Sequence, residues 1–436
     1  MELMTYPSAD AEARIGAIIN RGIDYEKDDI DSVNRILADV QSRGDSALIE
    51  YTNRFDAPEM TISEVAVAPA EIAAAKKQVD GAFVSALNRA ARQVESFHRR
   101  QLENSWFDMP RQGVMLGQMV NPVSGAGIYV PGARGGMTPL VSSVLMGGIP
   151  AKIAGVARVV MVTPPTADGG VDPHLLVAAD MIGIDQIYKA GSAWAIAALT
   201  YGTETIAPVD VIVGPGNIYV TLAKKMVSGT VGIDGVAGPS EILVIADDNA
   251  DPEFIAADLL SQAEHDPLAS SVLVTTSADV GQSVADALQF QLARLSRRDI
   301  AAQSLARFGA ILVVSDMDAA VAVANRIAPE HLELHIADPF GWVGAIKNAG
   351  AIFIGPYTPE PIGDYIAGPN HVLPTGGTAR FSSALSVDCF MKRTSLVYYT
   401  PAAFYAEADD AVQIAETEGL GAHAESMRIR VKKKPA

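Results

Sequence analysis

One cysteine, Cys389, excludes an intramolecular disulfide framework and any cysteine-based zinc site, and it fits a reducing compartment. The chain is also short of positive charge. With 33 Lys and Arg against 51 Asp and Glu, its formal charge of −18 is the wrong sign for nucleic acid or an anionic membrane surface as main partner. The one basic cluster, Arg428, Arg430 and Lys432 to Lys434, reads as a solvated tail. No apolar run reaches the ~18 residues of a membrane span, because Pro150 and Lys152 interrupt the longest. The N-terminus shows no basic stretch followed by an apolar one, so a cytoplasmic location is expected.

What is present is the composition of an ordinary globular protein, 49% hydrophobic and 19% charged, over 436 residues that suit two large domains. Residues 30 to 105 read as helices: Val33, Ile36, Leu37 and Val40 form a stripe that Gly44 ends. From Gly125 onward, short β-rich runs alternate with helical stretches. They are Gly127–Val130, Val159–Val162, Gln186–Lys189, Val209–Val213, Ile242–Ile245, Val272–Thr275, Ile311–Val314 and Ala351–Ile354. Such alternation predicts an α/β fold of two doubly wound, Rossmann-like domains with small helical N- and C-terminal segments. Ligands are then expected in a crevice at the carboxyl ends of the strands. The stretches Ile128 to Val162 and Ile242 to Thr275 share one layout, as a duplicated unit would. From about Met391 the chain reads as strand-poor and helical.

Of seven histidines, His98, His174 and His335 read as structural. Gln262 and His265 fall at i, i+3 near the end of a helix that Asp251 caps and Pro252 opens, so one face can present two ligands or simply a polar terminus. The segment Gly363 to His371 packs Asp364 and His371 among turn residues, as a site loop or a plain turn would. Glu330-His331 follows Pro329 and reads as two adjacent proton-transfer groups on an exposed corner, or as a solvated dipeptide. Two strand exits complete the candidates. Val211 to Asn217 runs through Gly214-Pro215-Gly216 into a helix, where N–H groups can meet a phosphate, and Gly127 to Gly132 carries Tyr129, read as exposed and able to stack on a flat ring.

Together these segments resemble the histidinol dehydrogenase family, from about residue 27 to 430. The resemblance is carried by Ala237-Gly238-Pro239-Ser240-Glu241, Ser261-Gln262-Ala263-Glu264-His265-Asp266, Pro329-Glu330-His331-Leu332, Gly363-Asp364-Tyr365 through Asn370-His371-Val372-Leu373-Pro374-Thr375, and Glu418-Gly419-Leu420 with His423. It implies oxidation of L-histidinol through the aldehyde to L-histidine, with Zn2+ and NAD as cofactors. It implies zinc on Gln262, His265, Asp364 and His423, an acid–base pair in Glu330 and His331, and substrate contacts that add Ser240, His371 and Glu418. It also implies a homodimer with shared active sites, Glu418 and His423 serving the neighbour.

The layout expected is a helical segment at 1–26, a first large domain from 27–127 with 241–386, a second from 128–240, and a small C-terminal domain at 387–436. The family's cofactor contacts fall on Tyr129, Asn217 and Trp194, the last where the family usually has glutamine. The loop Ala133 to Thr138 departs from the family pattern as well. These departures keep a paralogous dehydrogenase of another small polar alcohol in view, with a zinc hydrolase as a further alternative. Cys389 has no basic neighbour in Val387-Asp388-Cys389-Phe390, so a covalent thiol route is not expected.

Overall fold

The computed structural model of the protein describes residues 1–22, 26–132, 138–184 and 186–433. The chain forms two compact units, Met1–Gln101 with Val123–Phe390, and Leu102–Pro122 with Met391–Ala436.

The first unit is built on two parallel sheets. One has six strands, in the spatial order Leu3–Thr5, Ala310–Val313, Ser270–Thr275, Glu241–Ala246, His331–His335 and Ala351–Ile354. The other has five, Gln186–Lys189, Arg158–Thr163, Gly125–Tyr129, Val211–Val213 and Gly232–Ile233. Apart from the edge strand Leu3–Thr5, both sheets follow one plan: the first strand in sequence lies inside, the next two to one side, the last two to the other. The winding therefore reverses between Gly125–Tyr129 and Val211–Val213 in one sheet, and between Glu241–Ala246 and His331–His335 in the other, as in doubly wound folds.

Helices on both faces bury these strands, which is why their sequences are near-continuous apolar runs. Leu243, Ile245, Val272 and Val274 pack on one side with Ile15 and Ile18 of helix Ala9–Ile19 and with helix Met317–Ile327. Ile242, Val244 and Leu273 pack on the other with helix Pro252–Ala263. Around the five-stranded sheet, Val33, Leu37, Val40 and Leu48 of helices Lys27–Arg43 and Asp45–Phe55 share a core with Val160, Val162, Ile196 and Leu199.

The first residues are not purely helical: Leu3–Thr5 adds a parallel edge strand beside Ala310–Val313, with Met4 turned inward. Nor is the region after Met391 strand-poor. Met391–Tyr399 pairs antiparallel with Val114–Pro122, from Met391 opposite Pro122 to Tyr399 opposite Val114, and Trp106–Arg111 completes a three-stranded sheet. Most residues of this strand are exposed, so it lacks the apolar alternation that marks a half-buried one. Thr400 caps the following helix, Pro401–Thr417, by accepting from Ala403 N–H, and helix Gly421–Lys432 ends the described unit. Arg428 pairs with Glu416 and Lys432 with Glu425, so these basic residues belong to a helix rather than a frayed tail; Lys434 lies outside the described residues.

Candidate active site

Helix Met317–Ile327 ends at Ala328, which takes a left-handed conformation (φ 54°) and donates its N–H to Ala324 at 2.8 Å. Pro329 cannot continue the helix, and the chain enters strand His331–His335 directly. This places Glu330 and His331 at the amino end of an interior strand, both buried, and not on an exposed corner. The sequence hides this because the strand alternates His, Leu, Glu, Leu, His and is nonetheless buried on both faces.

The neighbouring strand fixes both groups. Glu241 N–H donates to Glu330 Oε2 at 3.0 Å, and Glu330 N–H donates to Glu241 Oε2 at 3.0 Å. Glu241 Oε1 accepts from Arg21 Nη2 at 2.6 Å and from Gly376 N–H at 3.0 Å. His331 Nδ1 lies 2.9 Å from the Glu241 carbonyl, which can only accept, so Nδ1 carries the proton and Nε2 is the free base. Burial holds the His331 imidazole below its usual range, hence neutral. Burial and then the adjacent Glu241 charge hold the Glu330 carboxyl well above its usual range.

Helix Pro252–Ala263 supplies Gln262, whose amide is buried. His265 is not on that helix: Glu264 is its C-cap, and His265 sits just beyond, exposed, with its N–H on the Gln262 carbonyl at 3.1 Å. It is close enough to His331 to disfavour a second positive charge there. Asp364 lies in the widened helical turn Gly363–Ala367, hydrogen-bonded to Glu360, and burial followed by the Glu360 charge pushes its carboxyl up to about 9. Nitrogen and oxygen atoms of His331, Glu360 and Asp364 all fall within 4.8 Å of one another. Glu360 is not among the residues singled out from the sequence; its only signal there is an acid between Pro359 and Pro361, four residues before Asp364.

Ser240, Glu330 and His371 line a cavity of ≈ 430 Å³ with Gly214, Pro215 and Thr375. It joins the amino ends of Glu241–Ala246 and His331–His335 to the carboxyl end of Val211–Val213, so only the five-stranded sheet presents the expected strand ends. Both amide atoms of Gln262, and Nε2 of His331 and of His371, are buried with no hydrogen-bond partner among the described residues. Each such atom costs about 1–3 kcal/mol unless something satisfies it. A set of imidazole, amide and carboxylate groups suits zinc or a polar ligand. Glu418 and His423 lie in the second unit, Glu418 as the C-cap of Pro401–Thr417 and His423 in Gly421–Lys432, both exposed.

Comparison with known proteins gives these features a common origin. The family model described as histidinol dehydrogenase matches residues 20–431. The chain belongs to the histidinol dehydrogenase family. It is 54% identical over 425 residues to the histidinol dehydrogenase of Desulfotalea psychrophila, covering 98% of each chain. It is 55% identical over 408 residues to that of Nitratidesulfovibrio vulgaris, covering 93% of this chain and 94% of the relative. The crystal structure of histidinol dehydrogenase from Elizabethkingia anophelis superimposes with a TM-score of 0.92 at 39% identity, covering 99% of this chain and 98% of that one. The chain is accordingly an enzyme, an oxidoreductase of this family.

Against that family background the three cofactor candidates differ in setting. Tyr129 is buried rather than exposed, and its hydroxyl oxygen accepts from Ser192 N–H at 3.1 Å. Trp194 is 4% exposed and stacks on Tyr51 and Phe55, with ring centroids 6.0 and 5.5 Å away. Asn217 is exposed and caps helix Ile218–Val227, its Oδ1 accepting from Tyr219 and Val220 N–H at 3.1 Å. The turn before it depends on Gly214 (φ 115°), where a Cβ would stand 2.1 Å from the Tyr129 carbonyl oxygen. Residues 133–137 of the divergent loop lie outside the described residues.

Proposed function

We propose that the protein oxidises L-histidinol to L-histidine in two successive NAD-linked steps at a zinc site, completing histidine biosynthesis. The observation that carries this reading is His331, whose imidazole burial holds below its usual range and whose buried Nε2 has no hydrogen-bond partner among the described residues, next to Glu330, which lines the cavity.

Gln262, His265 and Asp364 would hold the zinc together with His423 of a second copy of the chain, which makes the working enzyme a homodimer. When bound, zinc supplies a fixed anchor for the amine and imidazole of the substrate, holding the carbinol carbon in place through both steps. NAD, when bound, would supply the hydride acceptor for each oxidation; the Gly214 to Asn217 turn is its candidate cradle, whereas Tyr129 and Trp194, the other two candidates, are buried in the core. His331 Nε2 takes the hydroxyl proton in the first oxidation. Glu330, once deprotonated, assists addition of water to the aldehyde, and His331 serves again in the second oxidation. Ser240, His371 and Glu418 are assigned to the substrate's polar groups. Cys389 takes no part: burial pushes its thiol up, away from thiolate.

Trp194 is one of the two departures, with the Ala133 to Thr138 loop, that favour a different alcohol. Its place in an aromatic stack favours a packing role and weakens that alternative. Among the described residues no helix is long and apolar enough to cross a membrane.

The test is to incubate purified protein with L-histidinol and excess NAD, count NADH and identify the product. Two NADH per histidinol and L-histidine as product are expected. One NADH with accumulating aldehyde would defeat the four-electron reading, and activity unchanged after prolonged chelation would defeat the zinc assignment.

A further inference from the structure

A second buried polar cluster lies beneath the site and has no part in the chemistry above. Alternation along strand His331–His335 puts Glu333 and His335 on the same face as His331. On helix Pro252–Ala263, Asp258 stands one turn before Gln262 and shares its face. Glu333 is wholly buried, His335 is 2% exposed and Asp258 8%. Their contacts connect three separate chain segments. Glu333 Oε1 accepts from Glu360 N–H at 2.8 Å. Glu333 is hydrogen-bonded to Asp258, and His335 Nε2 lies 3.4 Å from Glu333 Oε2 and 3.7 Å from Asp258 Oδ2.

Two carboxyl groups can hydrogen-bond to each other only by sharing a proton. Burial pushes Asp258 to about 8 and Glu333 to about 7, so the cluster retains that proton at neutral pH. Among the described residues, His335 is the only basic side chain that pairs with either acid. A buried, proton-sharing group of this kind is directional: it fixes distances between the segments that carry it, where apolar contacts would let them slide. The tied segments are the strand bearing His331, the helix bearing Gln262, and the turn from Glu360 to Asp364.

We propose that Glu333, seated between Asp258 and the Glu360 N–H, is a positioning residue that sets the spacing of Gln262, Asp364 and His331. Glu333 touches neither substrate nor metal; it acts through the backbone of Glu360 and through Asp258. This rests on the zinc-dependent reading above.

The experiment strips the full-length protein of metal, titrates it with Zn2+ alone against a chromophoric chelator, and records the melting temperature of each metal-free variant. Glu333→Met removes the acceptor for Glu360 N–H and the bond to Asp258, and zinc affinity is expected to fall roughly 10–100-fold, the usual cost of losing an outer partner. Glu333→Gln keeps an acceptor and a hydrogen-bonding group, and should stay within about threefold of wild type, a rescue that bulk loss of core polarity would not produce. If Glu333→Met does not fold, Asp258→Ala cuts the same tie at its more exposed end and carries the same expectation. A folded Glu333→Met or Asp258→Ala protein with wild-type zinc affinity overturns the proposal while leaving the zinc reading intact. A wild-type protein that binds no zinc overturns both. A second zinc equivalent, present in wild type and lost in the variants, also overturns it, because the cluster would then be a binding site in its own right.

Discussion

Glu241 and Glu330 hold each other reciprocally: the backbone N–H of each donates to the side-chain carboxyl of the other, both at 3.0 Å. Two adjacent parallel strands are thereby locked at their amino ends, where the proposed acid–base pair lies. The arrangement brings two acids together in a buried place, and Arg21, only 3% exposed in its side chain, balances Glu241 from a distant part of the sequence.

That balance predicts an asymmetric response to mutation. Glu241→Leu leaves the Arg21 guanidinium buried without its partner and orphans the N–H groups of Glu330 and Gly376, so it should cost about 3–5 kcal/mol in denaturant unfolding. Combining it with Arg21→Met removes the stranded charge, and the pair of changes should cost clearly less than the sum of the two alone. Additive losses would mean that Arg21 and Glu241 do not depend on each other.

His331 and Glu330 should separate the two half-reactions. His331→Asn should lower turnover of histidinol roughly 10²–10⁴-fold, the usual range for a lost proton-transfer group, with an unchanged circular dichroism spectrum. Glu330→Gln should spare the alcohol step and slow the aldehyde step. The pH profiles should separate similarly. His331 is held below its ordinary value by burial, so the alcohol step gains its base form already below pH 6.5, the ordinary value for histidine. Glu330 is held well above its ordinary value, so the carboxylate needed for water addition appears only at higher pH. Assayed with histidinol and with histidinaldehyde separately, the aldehyde reaction should rise at higher pH. Superimposable profiles would remove Glu330 from the water step.

Trp194 should behave as a core residue. Trp194→Ala deletes a buried indole stacked on Tyr51 and Phe55, and a loss of about 3–5 kcal/mol is expected. Trp194→Phe should recover most of that stability. If the ring also contacts nicotinamide adenine dinucleotide, the two variants will differ in the KM for NAD; equal values would assign Trp194 to packing alone.

These cases also mark what could be read in the sequence. Glu241–Ala246 and Ser270–Thr275 announce themselves because a parallel strand covered on both faces must be almost wholly apolar. The strand His331–His335 shows only as an alternating run ahead of His335, without a sign of burial on both faces, since three of its five residues are ionisable and are buried only through their mutual contacts and those with Glu241, Asp258 and Glu360. Met391–Tyr399 was illegible for the opposite reason: it is exposed along most of its length and leaves no periodic trace. In the site, Gln262, His265, Glu330, His331, Asp364 and His371 stood out by residue type and by likeness to a family. Glu360, Glu333 and Asp258 did not, because an acid on a helix, a turn or an alternating strand looks solvated until the fold shows what covers it. Tyr129 and Trp194 were legible as aromatic residues but not as buried ones, since they are met by Ser192 and by Tyr51 and Phe55 respectively, all remote in sequence.

The buried Asp258 carboxyl makes stability depend on pH with a definite sign. Its folded value is raised from 3.8 to about 8, chiefly by burial and then by the Glu333 charge. Between those values the folded protein holds a proton that the unfolded chain has released. Folding is therefore favoured by acid in this window, and the contribution of Asp258 is fully present below about pH 4, declines as pH rises, and is exhausted above about pH 8. Asp258→Asn carries no titrating group and keeps a hydrogen bond to Glu333. In the metal-free protein its stability relative to wild type should rise between about pH 5 and about pH 9 by a few kcal/mol, the order expected for a shift of this size shared with a coupled neighbour. Urea unfolding of both proteins at the two pH values reads this difference directly. Parallel curves would mean that Asp258 is ionised in the folded protein, and the proton between Asp258 and Glu333 would then have to be withdrawn.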